Sequence, residues 1–111
     1  MTEVVLFCNS DGSIKKLTAK GHAGFAEKGK DIVCASVTEL LRTALKVLEN
    51  TQGLLVKADL ASRGNLAFSV EENDTFSKRE RLICTADFIR TGLKDLEDEY
   101  PEYVHLREVT E

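Results

Sequence analysis

The chain has 111 residues, enough for one domain with a single modest core and hardly enough for two. It is 42% hydrophobic and 31% charged, with one proline and no tryptophan, the balance of a soluble globular domain and not of a disordered tail. With 15 Lys+Arg against 19 Asp+Glu the net charge is -4, so the chain lacks the basic field that a phosphate backbone demands, and direct nucleic-acid contact is not expected.

No apolar run approaches the roughly 20 residues that span a bilayer. The opening MTEVVLFCNSDGS carries an acidic residue where a signal peptide wants positive charge. Its apolar stretch, Val4 to Cys8, is also too short for a leader core. The expectation is a cytoplasmic protein without membrane association. The three cysteines (Cys8, Cys34, Cys84) are odd in number and show no paired spacing, so they are expected to be thiols in a reducing compartment.

Residues 3–8, EVVLFC, form a β-branched and aromatic run that ends at Asn9, Ser10, Asp11 and Gly12. The Asp-Gly pair signals a hairpin turn, after which Ser13 to Lys20 resumes as a second strand. Ile14, Leu17 and Ala19 alternate imperfectly there, which leaves room for a bulge. Residues 21–31, GHAGFAEKGKD, break the pattern with Gly21, Gly24 and Gly29, and read as a mobile loop.

From Ile32 to Asn50, apolar residues recur at helical steps: Val33, Val37, Leu40, Leu41, Ala44, Leu45 and Leu48. Asp31 is a good N-cap, which places Ile32 at the first helical position and Cys34 at the third. Asn50 and Gly53 supply stop signals. Residues 54–60 and 65–71 read as a second hairpin around Ser62, Arg63 and Gly64. A second helix is expected from Ser77 to Tyr100, with Ser77 as N-cap and Glu80 completing a capping box. Its stripe is Leu82, Ile83, Ala86, Ile89, Leu93, Leu96 and Tyr100. Pro101 stops it, and Tyr103 to Val109 gives a last strand. The order ββαββαβ predicts a single α+β domain over residues 1–111, with a mainly antiparallel sheet and two helices packed on one face.

Chemistry gathers at the loop–helix junction. A thiol attacks carbonyl carbon as the thiolate, and a free cysteine is mostly protonated at neutral pH. Two devices that correct this are within reach of Cys34. The start of a helix favours an anion, and a neighbouring imidazole can take the proton. His22 is the histidine near it in sequence, on a loop able to fold it back over the helix start. Asp31 either orients that imidazole or caps the helix, and spacing alone leaves both open. The N–H groups of the same helix start are candidate donors to an oxyanion. The loop could open for a substrate chain and close to exclude water.

The plain alternative to catalysis is that Cys34 is a small buried hydrophobe and His22 an ordinary loop residue. Cys8 lies inside an apolar strand and reads as core. Cys84 lies off the main stripe of the second helix and has no assigned role, and His105 reads as packed or solvated. The charge runs at 78–81 and 95–99 suit the polar face of a helix. The histidines and cysteines show neither C-x₂-C nor H-x₃-H spacing, so no metal and no cofactor are expected.

The string GHAGFAEKGKDIVCASVTELLRTAL, residues 21–45, resembles the signature of the ribosomal-processing cysteine protease (Prp) family. The matching elements are Gly21-His22-Ala23, a short glycine-bearing spacer with Gly29, then Asp31-Ile32-Val33-Cys34-Ala35 and an apolar helix. The resemblance implies a small α+β homodimer that removes a short N-terminal extension from a large-subunit ribosomal protein of bacteria. It implies Cys34 as nucleophile, His22 as its base and Asp31 as a residue of the motif, with residues 21–30 covering the peptide groove. Four residues after Cys34 stands Thr38, where the family commonly carries serine, so a hydroxyl is retained. Two other readings remain from different classes: a non-catalytic ribosome-associated binding module, and a thiol redox sensor that uses Cys34 without His22.

Overall fold

Apolar side chains at every second residue turn one face of β1 (Thr2–Cys8) into the core, where Val4 and Leu6 are fully buried and Cys8 nearly so. The computed structural model describes residues 1–21, 24–27, 30–60, 65–71 and 76–111. After β1 come β2 (Ile14–Lys20), α1 (Ile32–Glu49), β3 (Val56–Asp59), β4 (Asn65–Val70), α2 (Arg79–Glu99) and β5 (Val104–Thr110), the expected ββαββαβ order. The five strands form one sheet in the order β3-β4-β2-β1-β5. β1 pairs with β2, β2 with β4 and β3 with β4 antiparallel, while β1 and β5 run parallel. The sheet is thus mixed, with antiparallel pairs in the majority.

The turn after β1 forms as its residues dictate. Gly12 has φ +89°, a conformation that costs glycine little. Asp11 accepts the backbone N–H of Ser13 at 2.9 Å and its hydroxyl at 2.6 Å. The imperfect alternation in β2 is explained by a register shift: Phe7 faces Lys16, but Cys8 faces Ile14. One extra residue on β2 therefore lets both Ile14 and Leu17 point inward although they stand three apart.

Both helices join parallel-running strands as crossovers, and both pack on the same face of the sheet. Val33, Val37, Leu41, Leu45 and Leu48 of α1 and Leu82, Ala86, Ile89 and Leu93 of α2 meet the inward side chains of the strands in one core. Where the helices approach each other, a β-carbon on Gly92 would lie 2.8 Å from a methyl carbon of Leu40. Glycine there lets α2 come close to α1.

The expected start of α2 needs correction. The N-cap is Lys78, without a side-chain hydrogen bond, and no capping box from Ser77 forms. The chain enters through a turn in which Arg79 N–H reaches Phe76 O at 3.3 Å, and the first helical bond runs from Leu82 N–H to Lys78 O. Tertiary contacts set this start: Leu82 is buried, and Arg79 pairs with Asp11 at 3.1 Å. That leaves Ser77 one residue too early for its hydroxyl to act as the cap. Among the described residues, no helix is long and apolar enough to cross a membrane.

Candidate active site

α1 begins where the sequence places it, because Asp31 is both extended (φ -83°, ψ 98°) and acidic. Its Oδ1 accepts the backbone N–H of Cys34 at 2.9 Å. Its Oδ2 accepts the N–H groups of Phe25 at 3.0 Å and Ala26 at 3.4 Å. One carboxylate thus fastens the helix start and a stretch of the preceding loop. Partial burial pushes the Asp31 carboxyl up, but the backbone N–H groups of Cys34, Ala26, Phe25 and Val33 outweigh it and hold the carboxyl below its usual range. Of the two roles the sequence left open, capping is the one these hydrogen bonds describe. The Cys34 N–H is accordingly engaged, and drops out of the set of helix-start donors an oxyanion would use.

Phe25 is fixed at a second point. Its ring stands edge-on to Tyr100 at 5.6 Å and to Tyr103 at 5.4 Å. Tyr103 in turn accepts the N–H of Thr2 through its carbonyl at 2.9 Å. The loop, the end of α2 and the first strand therefore meet at the end of the sheet where α1 starts.

Gly21, directly after β2, has φ +89°, and a β-carbon there would lie 2.6 Å from the Met1 carbonyl oxygen. Only glycine fits that backbone. Gly24 also has positive φ (+76°), but a β-carbon there would meet nothing within 4 Å. His22 and Gly29, named in the sequence analysis, lie outside the described residues.

The Cys34 side chain is half-buried and lines a cleft of about 350 Å³. α1 supplies one wall with Cys34, Thr38 and Arg42, which recur every four residues and so form a single stripe. Val37 and Leu41 add apolar surface beside them, and Leu60, Asn65 and Leu66 come from the β3–β4 side. Thr2 and Ala19 contribute from the central strands. The Thr2 Oγ1 atom is buried without a hydrogen-bond partner among the described residues. Sequence reasoning missed Thr2, Arg42 and Asn65, because they come from three separate elements and share no local motif. A four-residue step from Cys34 through Thr38 was the available signal for Arg42.

The remaining thiols and the second histidine are elsewhere. Cys8 is buried, and burial pushes its thiol up against the opposing influence of the Arg90 guanidinium. Cys84 is exposed on α2. His105 Nδ1 lies 2.9 Å from Glu97, which also accepts the N–H of Leu106 at 3.0 Å. Among the described residues no group of three or more His, Cys, Asp and Glu is placed to hold a metal ion.

A ββαββαβ domain with a thiol at a capped helix start, opening onto a cleft, is the framework of a small cysteine protease. The chain belongs to the family described as cysteine protease Prp, whose model matches residues 1–105. A ribosomal processing cysteine protease Prp from Mycoplasma pneumoniae is 36% identical over 89 residues, 80% of this chain and 82% of that protein. Two crystal structures of a ribosomal processing protease Prp from S. aureus share the fold. The one with a covalently linked product peptide has a TM-score of 0.83 at 20% identity, covering 97% of this chain and 99% of that one. The one with a substrate peptide has a TM-score of 0.78 at 19% identity, with the same coverage.

Proposed function

We propose that this protein is an endopeptidase that removes a short N-terminal extension from a large-subunit ribosomal protein, with Cys34 as nucleophile and His22 as general base. The observation that carries the reading is the position of Cys34: third residue of a capped helix, half-buried, and lining an open cleft. Family membership supports it, as does the processing name of the M. pneumoniae relative. Peptides bound to the S. aureus protein fit the same reading.

The chemistry would run in two halves. His22 takes the thiol proton as Cys34 Sγ bonds to the scissile carbonyl carbon, giving a tetrahedral oxyanion. That intermediate collapses with cleavage of the C–N bond, and the proton passes to the departing amine. Water then attacks the thioester with His22 again as base, releasing a carboxylate and restoring the thiol. Asp31 would act indirectly, by holding the helix start and the loop. The reading also carries a homodimer and a cytoplasmic setting, both expected from the family resemblance and from where ribosomes mature.

The test uses synthetic peptides spanning the N-terminus of that ribosomal protein, incubated with the chain under reducing conditions and followed by mass spectrometry. Cleavage at one bond, abolished by Cys34→Ala and by His22→Ala, is the expected result. Intact peptides throughout, or cleavage that survives Cys34→Ala, would remove the proposal. Light scattering checks the dimer.

A further inference from the structure

The described residues that line the Cys34 cleft carry charge at one place. Among them Arg42 is the only one with a charge; the rest are apolar or neutral polar. Arg42 is exposed to solvent at the mouth of the cleft. The Arg42 side chain makes no hydrogen bond or ion pair with any described residue. Its five N–H donors are therefore available to whatever occupies the cleft.

Helix geometry gives the spacing. Arg42 stands eight residues beyond Cys34, about 12 Å along α1 at 1.5 Å per residue. An extended peptide advances roughly 3.3 Å per residue. A chain lying along α1 with its scissile carbonyl at Cys34 would thus bring its third or fourth residue from that bond to Arg42. Thr38 lies midway on the same stripe, and Val37, Leu41 and Leu66 give apolar surface beside it.

From this we infer that Arg42 is a specificity-determining residue: it binds an oxygen-bearing side chain, carboxylate or carboxamide, three or four residues from the scissile bond, and disfavours a cation there. The inference rests on the peptidase reading above and adds a substrate preference to it. A guanidinium donates to either kind of oxygen, more strongly to the charged one, and it repels lysine through the same charge.

The experiment uses a fluorogenic peptide spanning the N-terminal extension. The third and fourth positions on each side of the cleaved bond are replaced in turn by Asp, Asn, Leu and Lys. kcat/KM is measured for the unmodified protein, Arg42→Ala and Arg42→Glu. The expected result is a preference for Asp over Lys of about fivefold at one position, as for a partly exposed ion pair, with Asn between them. Arg42→Ala should flatten that preference, and Arg42→Glu should invert it, which a purely structural role for Arg42 would not do. Cleavage without charge preference at any of the four positions overturns the inference and leaves the peptidase reading standing. A preference that persists in Arg42→Glu overturns it as well. If the unmodified protein cleaves none of the peptides, the ribosomal-protein reading fails, and this inference with it.

Discussion

Asp31 Oδ1 accepts the backbone N–H of Cys34 at 2.9 Å, so the thiol-bearing residue is held by an acid three positions before it. The other oxygen of the same carboxylate holds Phe25 N–H, so helix and loop share one anchor. Replacing Asp31 by alanine removes a helix cap and leaves loop N–H groups without their acceptor. We expect a loss of about 1–2 kcal/mol in urea unfolding. Asp31→Asn, which can still cap, should lose distinctly less. Equal losses for the two would show that capping is not what Asp31 contributes.

The same carboxylate gives a pH dependence with a definite sign. Its carboxyl is held below the usual range in the folded protein. Its contribution is therefore complete above the unfolded value, about 3.9, and is lost as pH falls through the lower folded value. Asparagine does not titrate. The stability gap between the unmodified protein and Asp31→Asn, measured at pH 6, should narrow toward pH 3. A gap that stays constant or widens on acidification would contradict this assignment.

Gly21 and Gly24 form a matched pair. Both have positive φ, so an alanine at either place is strained by about 1 kcal/mol. Only at Gly21 does the new β-carbon also run into backbone, at 2.6 Å from Met1 O. Gly21→Ala should therefore destabilise more than Gly24→Ala. It should also depress peptide cleavage more, because it displaces the chain leading into His22. Similar melting temperatures for the two variants would show that Met1 yields freely.

Leu40 and Gly92 are predicted to be coupled. Alanine at position 92 gains up to about 1 kcal/mol of helix propensity, but its β-carbon would sit 2.8 Å from a Leu40 methyl carbon. Leu40 is only half-buried and can turn aside at some cost. Gly92→Ala alone should change stability by less than about 1 kcal/mol. In a Leu40→Ala background it should stabilise by about that amount. A strictly additive double-mutant cycle would mean that the two helices are not limited by this contact.

Phe25 tests the second anchor of the loop. A cycle of Phe25→Leu with Tyr103→Leu should return a coupling of about 0.5–1.5 kcal/mol, the usual worth of an edge-on ring pair. No coupling would indicate that the ring contact does not hold the loop in solution.

Much of this molecule is written in local patterns. Period-two and period-four runs of apolar residues, Asp11-Gly12 at a turn and Asp31 at a helix start depend on neighbours within a few positions, so each element could be read directly from the residues. The string from Gly21 to Ala35 likewise carried the family resemblance, because the loop, the cap and Cys34 are contiguous. Ser77 shows the limit. Its capping-box spacing is genuine, yet burial of Leu82 and the Arg79–Asp11 pair began the helix one residue later.

Cys34 was legible in the sequence; its surroundings were not. That Asp31 caps the helix shows only in where its two oxygens point, which depends on the loop folding back over α1; His22, the base it would orient in the other role, lies outside the described residues. The cleft joins Thr2, Ala19, Arg42 and Asn65, which lie far apart in the chain and meet only because β1, β2 and β4 are neighbours in the sheet and α1 packs against it. Local sequence fixes what a residue can do through its neighbours in the chain. Long-range packing, which no short pattern encodes, decides which of those residues share one cleft.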